Sequence, residues 1–161
     1  MHDGQADRDA TFEEGRESPL NLGAFEEEDL RIISALAQDS VFSAADMSWQ
    51  PAQRRFVVLL NRFRWEDPAP AGHPPERVRS LLVVENVRHV ASQGFERRDR
   101  DLVLSLLALS FDPRDETGGQ VLLTLAGDGA IRLDVEALEL QLRDVTRPYL
   151  APSGRRPQHP E

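Results

Sequence analysis

The stretch Asn61-Arg62-Phe63-Arg64-Trp65-Glu66 holds the residue types best suited to chemistry in this chain of 161 residues. Arginines beside aromatic rings can hold an anion, a nucleotide or an acidic loop of a protein. The guanidinium donates in a planar fork and rests against π faces. In a strand, successive side chains point to opposite faces. Asn61, Phe63 and Trp65 then share one face, and Arg62, Arg64 and Glu66 share the other. In one reading the charged face is a recognition surface made of Arg62, Arg64 and Glu66, with Arg132 as a further member. In the other, the aromatic face is core and the charged face is solvated or paired through Glu66. The second is the commoner arrangement, because buried aromatics are ordinary core components. Arg132 also has a structural alternative, an ion pair with Glu136.

The remaining chemical inventory is thin. The histidines are His2, His73, His89 and His159, and only His89 falls in a predicted element. No H-x-x-x-H or H-E-x-x-H spacing is present, so no metal site is expected. The acids Glu26 to Asp29 are consecutive and diverge on a helix, so they complement its dipole better than they would hold a cation. No nucleophile elbow, phosphate loop or dinucleotide fingerprint occurs. The chain has no cysteine, and all 19 basic residues are arginine. That excludes a thiol nucleophile, zinc-thiolate site, disulfide or Schiff-base lysine. No catalytic residue and no cofactor are expected.

Charge is unevenly placed. The net charge is −9, while residues 1–29 alone sum to −8. Residues 54–100 sum to +4. A global acidic balance argues against general nucleic-acid binding. No apolar run is long enough to span a bilayer, and the N-terminus lacks a signal-peptide pattern. A cytoplasmic location is the expectation.

The hydrophobic periodicity predicts the elements that position these residues. Residues 1–18 are acidic and poor in aliphatic side chains, so they are expected to be a disordered tail. Leu20–Ala24 reads as a short strand and Glu26–Gln38 as a helix, with Leu30, Ile33 and Ala37 on one face. Strands are then expected at 41–45, 55–65, 78–84 continuing past a bend into 86–91, 102–111, 120–126 and 130–133. The strand at Arg55–Trp65 begins apolar on both faces, which suggests burial on both sides. Asp134 reads as the N-cap of a closing helix with a stripe of Val135, Leu138, Leu142 and Val145. Residues 148–161 are rich in proline and arginine and are expected to be a second disordered tail.

The predicted fold is thus α+β, one domain over 20–147. It is an antiparallel bent sheet or partly open barrel of about six or seven strands, with one N-terminal helix and a C-terminal capping helix. That order resembles the pleckstrin-homology architecture. A set of phrases carries a second resemblance: Glu28-Asp29-Leu30, Ile33-Ser34-Ala35, Gln38-Asp39-Ser40-Val41, Leu60-Asn61-Arg62-Phe63-Arg64-Trp65-Glu66 and Ala130-Ile131-Arg132-Leu133. In combination they resemble the bacterial domain-of-unknown-function 2948 family, over about residues 20–147. The resemblance implies no activity. Two functions are carried forward. The first is a non-catalytic interaction or regulatory module with a protein partner and no membrane. The alternative is a small-molecule or anion binder, or a cofactor-free enzyme, using arginine with aspartate or glutamate.

Overall fold

The structure, a computed structural model, describes residues 19–67, 72 and 75–150. The two expected tails lie largely outside these residues. Among the described residues the chain forms one α-helix, three short 3-10 turns and eleven strands in a single sheet. The strands are β1 (Asn21–Ala24), β2 (Ser40–Ser43), β3 (Met47–Gln50), β4 (Arg55–Phe63), β5 (Glu76–Val84) and β6 (Val87–Gln93). They continue with β7 (Val103–Pro113), β8 (Gly119–Leu125), β9 (Ala130–Val135), β10 (Leu140–Asp144) and β11 (Tyr149–Leu150). The main path runs β1-β10-β5-β4-β2-β7-β8-β9-β6, with β11 on β5 and β3 on β4. Every pairing is antiparallel. The end strands β1 and β6 do not pair with each other, so the sheet stays open.

Period-two burial curls this sheet around one core. Phe56, Val58 and Leu60 of β4, Leu82 and Val84 of β5, and Val121 and Leu123 of β8 belong to the same buried cluster. The start of β6 returns to the start of β4, where the Val87 N–H donates to the Arg54 carbonyl at 2.9 Å. Helix α1 (Glu27–Ala37) forms where its periodicity predicts. It buries Leu30, Ile33 and Ala37 and carries Glu27, Glu28 and Asp29 in its first turn, where the dipole favours negative charge. It packs mainly on β7, with β1 and β4 beside it. The pairing of β7 shifts between Leu106 and Ala108. Just beyond, the Leu109 N–H donates to Ser34 Oγ of α1 at 2.9 Å.

The C-terminal capping helix is not there, and the pleckstrin-homology-like order and the α+β label fall with it. The fold is mainly antiparallel β with a single helix near the N-terminus. Two periods compete in residues 135–145. The stripe Val135, Leu138, Leu142, Val145 fits a helix, but Leu138, Leu140, Leu142 and Asp144 fit a spacing of two. The second wins because β10 lies between β1 and β5 and bonds to both. A helix there would strip a partner from both neighbours, and unpaired backbone groups are costly. Leu140, Leu142 and Asp144 are buried, while Val145 is exposed. Asp134, the expected N-cap, sits inside β9 opposite His89 and Gln120. Tyr149 and Leu150, expected in the tail, pair with Arg77 and Glu76. The bend predicted after Val84 is present, with Asn86 at φ 61°.

The hairpin of β7 and β8 depends on one missing side chain. A Cβ at Gly119 would collide with the backbone carbonyl of Asp112 and lie 2.9 Å from Pro113 Cα. Gly119→Ala is therefore expected to lower stability by roughly 1–3 kcal/mol, the usual cost of overpacking. Urea unfolding would show a lower midpoint with an unchanged slope. An unchanged midpoint would mean that the two strands part easily at this point.

Candidate functional site

Arg62 sits on the inner face of β4, in line with Phe56, Val58 and Leu60, and is 0% exposed. Its five N–H donors are all engaged. Nε donates to Ser80 Oγ at 2.9 Å and to Asp144 Oδ1 at 3.2 Å. Nη1 donates to the Phe63 carbonyl at 3.1 Å and to Glu66 Oε1 at 2.8 Å. Nη2 donates to Glu66 Oε2 at 2.7 Å and to Asp144 Oδ1 at 2.9 Å. Ser80 Oγ in turn donates to Asp144 Oδ1 at 2.6 Å, and the Leu20 N–H donates to Asp144 Oδ2 at 2.8 Å. One guanidinium thus ties β4, β5, β10 and the segment leading into β1.

Burial lowers the affinity of Arg62 for its proton, but Glu66 and Asp144 outweigh burial and the net shift is upward. Burial likewise pushes the Glu66 carboxyl up, while the Arg62 bonds and charge, with help from Arg64, bring it below its ordinary value. Both groups are held in their charged forms. A carboxylate so held is a poor proton donor.

A groove of about 590 Å³ lies on the opposite, outer face of the same strands. Its floor includes Val57, Leu81 and Val83, with Val57 opposite Val83 in register. At one end Arg55 Nε and Nη2 grip both oxygens of Glu85, at 2.6 and 3.2 Å, with Glu139 nearby. Phe25 lines this groove and is 66% exposed. At the other end stands Arg143, opposite both Asn21 and Leu81. Arg79 is two residues before Leu81 on β5 and is exposed. Farther along, the Arg77 guanidinium lies 4.0 Å from the centroid of the Phe63 ring, and burial lowers its pKa. The two ends of the groove differ: Arg143 stands where the chain enters β1, and the Arg55–Glu85 pair with Glu139 stands where β1 ends.

A model of a family described as "Protein of unknown function (DUF2948)" matches residues 20–159. The chain belongs to this family. Neither the comparison with curated proteins nor that with solved structures finds a match. The DUF2948 match spans both the arginine network and the outer groove.

Of the four residues expected to form a recognition surface, Arg62 and Glu66 are bonded to each other with Arg64 acting on Glu66, while Arg132 stands apart on β9. Arg62 is enclosed. Arg64 is 6% exposed and bonds Glu76 at 3.0 Å and Asp67 at 3.3 Å. Glu66 is committed to Arg62. Arg132 is exposed on β9, opposite Ala91 and Leu122. Its expected partner Glu136 is instead bound by Arg54 at 2.6 Å and approached by Arg88 at 3.6 Å. Pairing through Glu66 was one of the two readings of this strand, but the face is interior and not solvated. Trp65 closes the region differently, donating from Nε1 to the Gln38 carbonyl at the end of α1, at 2.9 Å.

Sequence reasoning missed Asp144 and Ser80, because the first was assigned to a helix and the second is an ordinary strand serine. It also missed Val57, Leu81, Val83 and Arg143 as a surface. The available signal was the strand beginning apolar on both faces, and the outer residues are half-buried. Among the described residues no three histidines, aspartates or glutamates converge as a metal site. His89 is exposed on β6.

Two outcomes follow from the network. Arg62→Ala strands Asp144 in the interior and should cost about 3–5 kcal/mol, as breaking buried pairs does. The double change Arg62→Met with Asp144→Leu removes the fully enclosed pair, leaves the part-exposed Glu66 to water, and should recover part of that loss in urea unfolding. If the double variant were no more stable than the single one, the charges would not be what matters. Glu66 contributes to the pH dependence. Its folded pKa lies below the unfolded value of about 4.3, so its contribution is complete above that value and fades as pH falls through the folded pKa. Unfolding midpoints between pH 7 and 3 should show a flatter acid limb for Glu66→Gln than for wild type. Parallel limbs would remove Glu66 from this role.

Proposed function

We propose that this chain is a non-catalytic interaction module that holds an acidic, apolar segment of a protein partner in its outer groove. The observation that carries this reading is the row of half-buried aliphatic side chains Val57, Leu81 and Val83 on the outer sheet face, with Arg143 at one end and exposed Arg79 two residues before Leu81 on β5. Sheets with one solvated face place polar residues there. A concave apolar floor with a charged rim is the usual anatomy of a peptide-binding surface. The arginine end selects a segment carrying carboxylates, and the Glu85 and Glu139 end disfavours acids there.

The alternative, a small-molecule binder or cofactor-free enzyme, calls for a carboxylate of raised pKa facing Arg62, Arg64 or Arg132. Glu66, which faces Arg62, is shifted the other way. A cytoplasmic setting belongs to the proposal. No helix among the described residues is long and apolar enough to cross a membrane.

The test is a photo-crosslinking amino acid placed at Leu81 in living source cells, with the same group at Leu122 on β8 as control. The expected result is an adduct to one partner through an acidic segment, seen at 81 only and lost in Arg143→Glu. Adducts equal at both positions, or none at 81, would overturn the reading. An adduct to a second copy of the chain would replace the foreign partner with self-association.

A further inference from the structure

We infer that the chain's own acidic N-terminal segment is a second occupant of this groove, competing in cis with the partner. The inference rests on the interaction-module reading and deepens it. Residues 1–18 carry six acids against two arginines and contain one aromatic side chain, Phe12. This segment joins the structure at the cationic end of the groove. Leu20 is bonded through both its N–H and its carbonyl to Asp144, next to Arg143. Asn21 lies opposite Arg143 across β1 and β10. The Val145 N–H donates to the Arg79 carbonyl at 2.8 Å, so Arg79 borders the same corner.

Charge and reach both favour the contact. Glu17, Glu14 and Glu13 are the acids nearest in sequence to that corner. Opposite charges held on one chain meet at a high effective concentration. From Asn21 back to Phe12 the chain can extend about 30 Å. The floor from Leu81 to Glu85 is only about 13 Å long. Phe12 can therefore lie over Val57, Leu81 and Val83 while Glu13, Glu14 and Glu17 face Arg143 and Arg79. The segment supplies the combination the groove selects, an aromatic anchor beside carboxylates. A partner must displace it, so neutralising or modifying these acids would raise partner capture.

The absence of cysteine makes the test direct. The full chain with Gly15→Cys carries one nitroxide, and methyl NMR signals are compared with the label oxidised and reduced. The expected result is loss of peak intensity at Val57, Leu81 and Val83 but not at Leu122. That loss should vanish in Arg79→Glu with Arg143→Glu, and in 1 M salt, where the screening length is about 3 Å. Both arginines are exposed, so the reversed variant should unfold at the wild-type temperature. Broadening that is equal at Leu122, or that survives charge reversal, overturns the cis contact. If the groove methyls are unaffected while the Leu81 crosslink to a partner persists, the module reading stands and this inference fails. If both fail, the groove is not a binding surface. In the companion experiment, Glu13→Gln, Glu14→Gln and Glu17→Gln together should increase the Leu81 crosslink to the partner, and an unchanged yield would count against competition.

Discussion

The inward guanidinium of Arg62 is the constraint on which the rest of the structure depends. Moving a charge out of water is expensive, and an enclosed arginine persists only when its donors and its charge are fully met. Two carboxylates, a serine hydroxyl and a main-chain carbonyl meet them. They come from residues as far apart as Phe63 and Asp144, so the site exists only when β4, β5 and β10 are in register. A one-residue slip of β10 would turn Asp144 outward together with Leu140 and Leu142. The polar end of the inner face therefore specifies the same register that the leucines specify. Lysine would not substitute, since its compact ammonium cannot bridge two carboxylates in a plane while also reaching Ser80.

That register decides what faces outward. With Leu82, Ser80 and Asp144 turned in, Leu81, Val83 and Arg143 must turn out. The one α-helix among the described residues contributes to the core and packs on β7, β1 and β4. It does not line the groove over β5 and β10. The arginine network and the groove are thus two faces of the same strands. A change that breaks the first also displaces the second. This is why a variant at Arg62 cannot report on recognition, whereas exposed Arg143 and Arg79 can.

Much of this was legible in the chain. The period of 3.6 at Leu30, Ile33 and Ala37 identified α1, and alternation identified most of the strands and the bend after Val84. The short strand at Met47–Gln50 was missed because Ser48 and Gln50 blur its pattern. Residues 135–145 were misread because they satisfy two periods at once, and only the open edges of β1 and β5 choose between them. The candidate site suffered from a related ambiguity. Alternation correctly put Arg62 and Phe63 on opposite faces. It could not say that the arginine face was the inner one, because one of the two acids that make burial tolerable, Asp144, is 82 residues away. Local rules assign charge to solvent, and only tertiary pairing overturns them.

The same ambiguity explains why the outer groove is informative. Val57, Leu59, Leu81 and Val83 face each other in register on the outside of β4 and β5. Burying an aliphatic side chain is worth about 1.5–3 kcal/mol, and leaving several half-covered forgoes part of that gain. Folding alone has no use for apolar residues there, since polar residues would keep the strand pairing and improve solubility. A sheet edge or face left this way is an aggregation hazard unless something covers it. Most of the chain's excess negative charge falls in residues 1–29, while the remainder is nearly neutral. Under the proposed cis contact, an acidic segment on an apolar groove with arginine at one end would both protect the surface and set a threshold for a partner. On that proposal charge placement, and not total charge, is what would make this sheet face selective.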